Sequence, residues 1–290
     1  MKIYIDGKFY GKEDAKISVF DHGLLYGDGI FEGIRAYNGR VFMLEEHIDR
    51  LYDSAKAILL EIPISKKEMT EALLETCRQN NLKECYIRLV VTRGTGNLGL
   101  SPDRCERPTI FIIAASLELY PENFYKEGLA VVTASTQRTS PAALNPAVKS
   151  LNYLNNVMAK LEGKLAGVHE VIMLNSEGLV AECSGDNIFA IKNGRMTTPP
   201  IYMGALGGIT RMALFKLAKE LGVELHEVPM TRYDLFVADE IFLTGTGAEV
   251  IPVVKVDGRT IGEGSVGAWT RKFMGAYHDL TRRSGTPIFP

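Results

Sequence analysis

Cysteine is scarce in this sequence: Cys77, Cys85, Cys105 and Cys183 are the four in a chain of 290 residues. No two of them form a C-x-x-C pair, which argues against a zinc or dithiol redox motif and points to reduced thiols in a cytosolic protein. Long apolar runs are missing too; no window approaches the roughly 18 residues a membrane-spanning helix requires. Neither sign of charge is in excess. The formal net charge is -2, so neither nucleic acid nor an anionic membrane is expected as a main partner. Charges interrupt the opening MKIYIDGKFYGKED every few residues, unlike the apolar core of a secretory signal. His22 and His47 lack metal-ligand spacing, and no metal is expected.

What is present suits a folded α/β protein. Apolar residues make up 46% and charged residues 23%, enough to fill real cores. KIYIDGKFY reads as two strands around Asp6-Gly7, and strands near 30–37 and 40–43 flank Asn38-Gly39. From Leu44 to Leu59 the period turns helical, with Ile48, Leu51, Ala55, Ile58 and Leu59 on one face. Glu68 to Asn80 predicts a second helix. CYIRLVVTRG and PTIFIIAAS are β-rich. LELYPENFYKEG, with its proline and mixed polarity, reads as a linker, and a strand restarts near residue 129. The second half alternates. A helix over 151–165 shows Leu151, Leu154, Val157 or Met158, Leu161 and Leu165 on one face. Strands EVIMLN and NIFAIKNG follow, then a helix over 209–221 stopped by Gly222. A pair of strands in EIFLTGTGAEVIPVVKVDG and a last helix over 269–280 complete two mixed α/β domains.

Several stretches carry chemistry. Lys149, in NPAVKSLNYLNN, stands at a helix entrance beside Ala147 and Val148. A helix N-terminus and apolar neighbours both favour the neutral amine, the form that attacks a carbonyl. Lys160 and Lys164 have no such setting and read as solvated. Gly207-Gly208 before Ile209-Thr210 opens a helix whose first N–H groups face outward, a phosphate site in outline. The turn in FLTGTGAE offers N–H groups to an anion. Glu182 lies among apolar residues and needs a partner if buried. Arg50 flanks an apolar helix stripe and, read blandly, pairs with Glu46 on the surface. Each of these has an ordinary structural explanation. Together they supply an amine, an acid, an arginine and two anion-binding turns, the set that pyridoxal phosphate requires.

The motifs YGDGIFEGIRAYNG, HIDRLYDSAK, YIRLVVTRGTGNLGL, KSLNYLNN, VAECSGDNIF, GITR and LTGTGAEVIPV occur in the order found in class IV aminotransferases. The chain resembles that family from about residue 18 to 275, and within it the branched-chain amino acid aminotransferases. The resemblance implies a two-domain D-amino-acid-aminotransferase-like fold. A smaller N-terminal α/β domain (1–118) and a linker (119–129) would precede a larger barrel-like domain (130–290) carrying the Schiff-base lysine. It implies pyridoxal phosphate bound by Lys149, with Glu182 at the pyridine nitrogen. Arg50, Ile209, Thr210 and Thr246 would hold the phosphate, with Tyr153 near O3′ and Leu206 on a ring face. Thr246-Gly247 would take the substrate α-carboxylate, and Tyr26, Phe31, Gly33, Tyr86 and Arg88 would form the side-chain and second-carboxylate pocket. The implied reaction passes the amino group of L-leucine, L-isoleucine or L-valine to 2-oxoglutarate, in a cytoplasmic homodimer of branched-chain amino acid biosynthesis. D-amino-acid or (R)-amine transaminases and aminodeoxychorismate lyases share the fold. The loop GTGNLGLSP lacks the histidine of the D-enzymes, and Tyr153 favours the L-branched-chain group. Gly247 departs from the alanine usual at that position.

Overall fold

The computed structural model describes residues 1–116 and 119–289. Two compact units share the chain: Met1–Leu117 with Val148–Asn152 and Thr281–Pro290, and Glu118–Ala147 with Tyr153–Leu280.

In the first unit, β1 (Lys2–Ile5), β2 (Lys8–Gly11), α1 (His22–Tyr26), β3 (Gly29–Tyr37) and β4 (Arg40–Val41) precede α2 (Leu44–Ala57), α3 (Lys66–Gln79), β5 (Cys85–Thr92) and β6 (Thr109–Ala115). A terminal strand, Thr286–Pro287, completes a seven-stranded sheet with order terminal strand-β4-β3-β5-β6-β1-β2, antiparallel throughout. Asp6 and Gly7 both take positive φ, as do Asn38 and Gly39, so both expected hairpins turn through the left-handed backbone that matches strand twist. Leu44, Ile48, Leu51 and Ala55 of α2 and Met69, Leu73 and Cys77 of α3 pack with Ile30, Ile34, Ile87 and Leu89 of the sheet. Leu59 does not share the α2 face as expected. The helix ends at Ala57, and Leu59, at φ +51°, turns outward to 88% exposure. It occupies the left-handed position that usually closes a helix with glycine.

The second unit contains α4 (Glu122–Glu127), β7 (Leu129–Thr133), α5 (Leu154–Leu165), β8 (Glu170–Leu174), β9 (Val180–Cys183), β10 (Asn187–Lys192), β11 (Arg195–Thr198), α6 (Ile209–Glu220), β12 (Leu225–Glu227), α7 (Arg232–Phe236), β13 (Glu240–Gly245) and β14 (Glu249–Val256). Helix α8 (Ala268–Arg283) follows. The sheet order is β12-β11-β10-β13-β14-β7-β8-β9. The chain passes from β9 to β10 through three residues, 184–186, although four strands separate them in that order. On a flat sheet those five spacings span about 24 Å, whereas the link reaches about 14 Å at most. The sheet is therefore rolled, in agreement with the expected barrel-like domain.

Three segments depart from the expected division. Val148–Asn152, with Lys149, belongs to the first unit because Ser150 bridges Ile30 and Leu151 N donates to Gly29 O at 2.9 Å. The C-terminal segment joins the same unit: Ile288 is fully buried and its N donates to Gly39 O. The expected linker holds α4, and Tyr120 packs in the second unit's core. Helix α5 also corrects an expectation. Its leucine stripe faces solvent, with Leu154 71% and Leu165 89% exposed, while Asn156, Ala159 and Gly163 are buried. A Cβ on Gly163 would lie 2.6 Å from Val171 Cγ1, so close approach to β8 selects the small face. Among the described residues no helix is long and apolar enough to cross a membrane.

Candidate active site

The first unit gathers one set of residues around β3. The period of two places Phe31 and Gly33 on one face and Glu32 on the other, toward α2. Gly33 stands opposite Arg88 in the register of β5. A Cβ on Gly33 would fall 2.0 Å from Tyr86 Oη, so the Tyr86 hydroxyl occupies the space a side chain would need. Arg88 donates from Nη2 to that hydroxyl at 3.1 Å, and its Cζ lies 4.6 Å from the Phe31 ring centroid. Its Nε is buried without a partner among the described residues. Lys149 approaches the same ring, with Nζ 4.6 Å from the centroid. The lysine backbone is fixed on both sides: Phe31 N donates to Lys149 O at 2.9 Å, and Lys149 N donates to Ser54 Oγ at 3.2 Å.

Beneath this cluster lies a buried acid. Glu32 accepts from Arg50 Nε at 2.8 Å, Arg50 Nη2 at 2.7 Å and His47 Nδ1 at 2.7 Å. Burial works to raise the Glu32 pKa, but the Arg50 charge, aided by hydrogen bonds from Arg50 and His47, outweighs it and brings it to about 2. Burial holds His47 below the usual histidine value, and the Arg50 and Lys149 charges add to that. Arg50 thus has a bidentate cross-element partner rather than the simple surface setting read from the sequence. Tyr26 makes its hydroxyl contact elsewhere, donating to Leu98 O at 2.5 Å.

The second unit gathers the acid and the anion-binding turns. Glu182, on β9, is 5% exposed and accepts three hydrogen bonds beside a second ion-pair contact from Arg138. Arg138 Nε and Nη2 reach Oε1 at 2.9 and 2.8 Å; Leu206 N and Asn187 Nδ2 reach Oε2 at 2.9 and 3.3 Å. Asn187 Nδ2 also donates to Leu206 O at 2.9 Å, tying β10 to the chain entering α6. Helix α6 starts at Ile209, followed by Thr210; its N-cap, Gly208, supplies no side-chain bond to the first turn. Nothing would meet a Cβ on Gly207 within 4 Å, so the approach to those N–H groups is open on that side. Thr246 and Gly247 lie in the β13–β14 turn, between Gly245 and Glu249, which face each other in register. Thr244 Oγ1, just before it, is buried without a partner among the described residues. Tyr153 is the N-cap of α5. The sequence reading missed Glu32, His47, Arg138 and Asn187. The Glu32 signal was an acid flanked by Ile30, Phe31 and Ile34 in a β-strand, whereas nothing around Arg138 in STQRTSP marks it.

A further acidic cluster lies behind this set. Tyr120 Oη is 3.1 Å from Glu170 Oε2 and 3.3 Å from Asp186 Oδ2, and Lys160 donates to Glu170 Oε2 at 2.8 Å. Lys160 stands in solvent as expected, its side chain 45% exposed, and its amine also pairs with the buried Glu170 carboxylate. Glu170 Oε1 also accepts from Val171 N at 2.8 Å and Ser184 N at 2.9 Å. One phenol proton cannot serve two carboxylates, and Asp186 is the poorer in donors. Burial and the Glu170 charge raise the Asp186 pKa to about 7. A folded pKa above the unfolded one means stability is complete below about pH 4 and lost as pH rises through about 7. Relative to the wild type, Asp186→Asn is therefore expected to gain about 4 kcal/mol of unfolding free energy between about pH 4 and pH 8, measured by urea denaturation. A pH-independent difference would show that Asp186 is not the titrating group.

The family model for class IV amino-transferases matches residues 29–256. The chain belongs to the class IV amino-transferase family. This class IV amino-transferase is 54% identical over 289 residues to a Methanocaldococcus jannaschii protein provisionally named a branched-chain-amino-acid aminotransferase, covering 100% of this chain and 99% of the relative. The crystal structure of Escherichia coli branched-chain amino acid aminotransferase superposes with a TM-score of 0.94 at 37% identity, covering 97% of this chain and 94% of that one. The T.th. branched-chain amino acid aminotransferase complexed with N-(5′-phosphopyridoxyl)-L-glutamate gives 0.91 at 37% identity, over 97% and 95%.

Proposed function

We propose that this chain transfers amino groups between branched-chain L-amino acids and 2-oxoglutarate, using pyridoxal phosphate. The observation that carries this reading is the Phe31 cluster. An amine, an apolar ring wall and an arginine with no carboxylate partner among the described residues meet in one place. The ring suits an aliphatic side chain, and Arg88 with Tyr86 suits the second carboxylate of a dicarboxylic acid. The relative crystallised with a phosphopyridoxyl-glutamate compound supports such a ligand.

The donor sets fit the cofactor's functional groups. An uncapped α6 N-terminus suits a phosphate. A buried carboxylate fixed by four donors suits a protonated ring nitrogen. Ile209, Thr210, Thr246 and Arg50 would hold the phosphate, and Lys149 would bond the aldehyde carbon. Tyr153 would lie at O3′ and Leu206 on a ring face. Bound pyridoxal phosphate supplies an electron sink for charge developing at the substrate Cα. With the cofactor bound, Lys149 Nζ would serve as the base that takes the substrate Cα proton and then as the acid that returns it. Glu182, paired with Arg138, would face the ring nitrogen and stabilise a proton there. The Thr246-Gly247 N–H groups orient the α-carboxylate. The exposed apolar rows on α5 and around Leu24 and Leu25 support a homodimer.

Spectral titration of the cofactor-loaded enzyme with L-leucine and then 2-oxoglutarate tests the reading. Absorbance should shift with the first and return with the second; D-alanine should do neither. Arg88→Leu is expected to raise KM for 2-oxoglutarate about 10- to 100-fold while leaving that for L-leucine within about threefold. Equal losses for both substrates would remove Arg88 from the second-carboxylate role.

A further inference from the structure

The segment read as a linker reaches the turn proposed to hold the α-carboxylate. Tyr125, on α4, donates its hydroxyl to Ala248 O at 3.2 Å, at the far end of that turn. Tyr120, just ahead of α4, is 4% exposed and meets Asp186 Oδ2. Asp186 in turn presses on the near end: a Cβ on Gly245 would sit 2.1 Å from Asp186 Oδ1. The turn itself is strained. Gly245 faces Glu249 across three residues, and Glu249 takes φ +58°, where a hairpin of this length favours glycine. A non-glycine residue held in this backbone region relies on its surroundings to keep it there, and such residues concentrate at functional sites.

We propose that Tyr120 and Tyr125 are positioning residues for the carboxylate turn. Tyr125 holds the Ala248 carbonyl, and Tyr120 holds Asp186 against Gly245. The two anchors fix both arms, so the Thr246 and Gly247 N–H groups point at one place before a ligand arrives, and none of the binding free energy goes to ordering them. The inference rests on the reading of this turn as the α-carboxylate site. Because amino and keto acids share that carboxylate, the anchors serve both half-reactions alike and leave side-chain preference untouched.

Tyr120→Phe and Tyr125→Phe each remove one oxygen and keep the ring. The test uses the cofactor-loaded enzyme titrated with 4-methylvaleric acid, which has the carboxylate and the branched chain but no amine, followed by cofactor absorbance. Each variant is expected to bind the acid about three- to tenfold more weakly. KM for L-leucine and for its keto acid should rise by the same factor, with kcat within about twofold. Affinity for 4-methylpentan-1-ol, which lacks the carboxylate, should not change. Tyr125→Phe alone answers the question if Tyr120→Phe, altered in the core, yields too little folded protein. Wild-type affinity for the acid in the folded variants overturns the proposal, whatever happens to stability. Gly247→Asp separates the two readings by placing a like charge in the turn. If it binds the acid as the wild type does, the carboxylate site lies elsewhere and both readings fall. If it loses the acid while both tyrosine variants keep it, only the role of the tyrosines falls.

Discussion

Lys149→Ala should lower transamination of L-leucine to the level of pyridoxal phosphate free in buffer. The loss is expected to be total because one amine serves as both cofactor anchor and proton carrier, and no other lysine among the described residues is placed in the Phe31 cluster. The fold should survive. What fixes residue 149 is its backbone, through Phe31 N and Ser54 Oγ, and both bonds remain when the side chain is cut to a methyl group. Unfolding free energy should therefore change by no more than about 1 kcal/mol. Small primary amines added to the variant should restore part of the proton transfer. Near-normal turnover by Lys149→Ala would falsify the mechanism outright, and complete unfolding would show that the side chain is structural.

Glu182→Gln has the second-largest expected effect, and it has two parts. The neutral amide cannot hold a proton on the ring nitrogen, so kcat should fall on the order of 100-fold or more. The amide is also a poor fit to its own surroundings. Four donors converge on Glu182, and glutamine would turn an N–H₂ group toward two of them. It would also leave the Arg138 guanidinium, 7% exposed, without its counter-charge. Breaking a buried pair in this way costs about 3–5 kcal/mol. Rate and stability can be separated with the double variant Arg138→Met/Glu182→Gln, which should recover much of the stability and none of the rate. Calorimetric unfolding alongside the L-leucine half-reaction measures both. If the double variant regained activity as well, the role of Glu182 at the ring nitrogen would be wrong and its contribution only structural.

Much of the fold was legible because its signals are local. Asp6-Gly7 and Asn38-Gly39 specify left-handed turns through their own backbone preferences, and Gly222 stops α6 for the same reason. The α2 stripe of Ile48, Leu51 and Ala55 announces its buried face by spacing alone. The α5 stripe misled, since the same spacing of leucines marks a face for any apolar partner, including one outside the chain. Only the fit of Gly163 against Val171 shows which side meets β8. The segment 119–129 misled for a related reason. Pro121 and its polar neighbours resemble a linker, yet Tyr120 and Tyr125 are fixed by carboxylates and a carbonyl more than forty residues away in sequence.

The sequence alone determined the chemistry available to this protein: a lysine in an apolar setting, an acid between apolar residues, two glycine-rich turns and the order of motifs that identifies the family. Residue type and short-range spacing carry that information, because they depend on covalent geometry and intrinsic reactivity. Tertiary structure decided how those groups are charged and aimed. Glu32 answers Arg50, Arg138 answers Glu182, and burial beside Glu170 pushes the Asp186 pKa up, each through partners brought together by strand register and the rolling of a sheet. A buried charge is set by whatever lies within a few ångströms of it, and sequence distance says nothing about which residues those are.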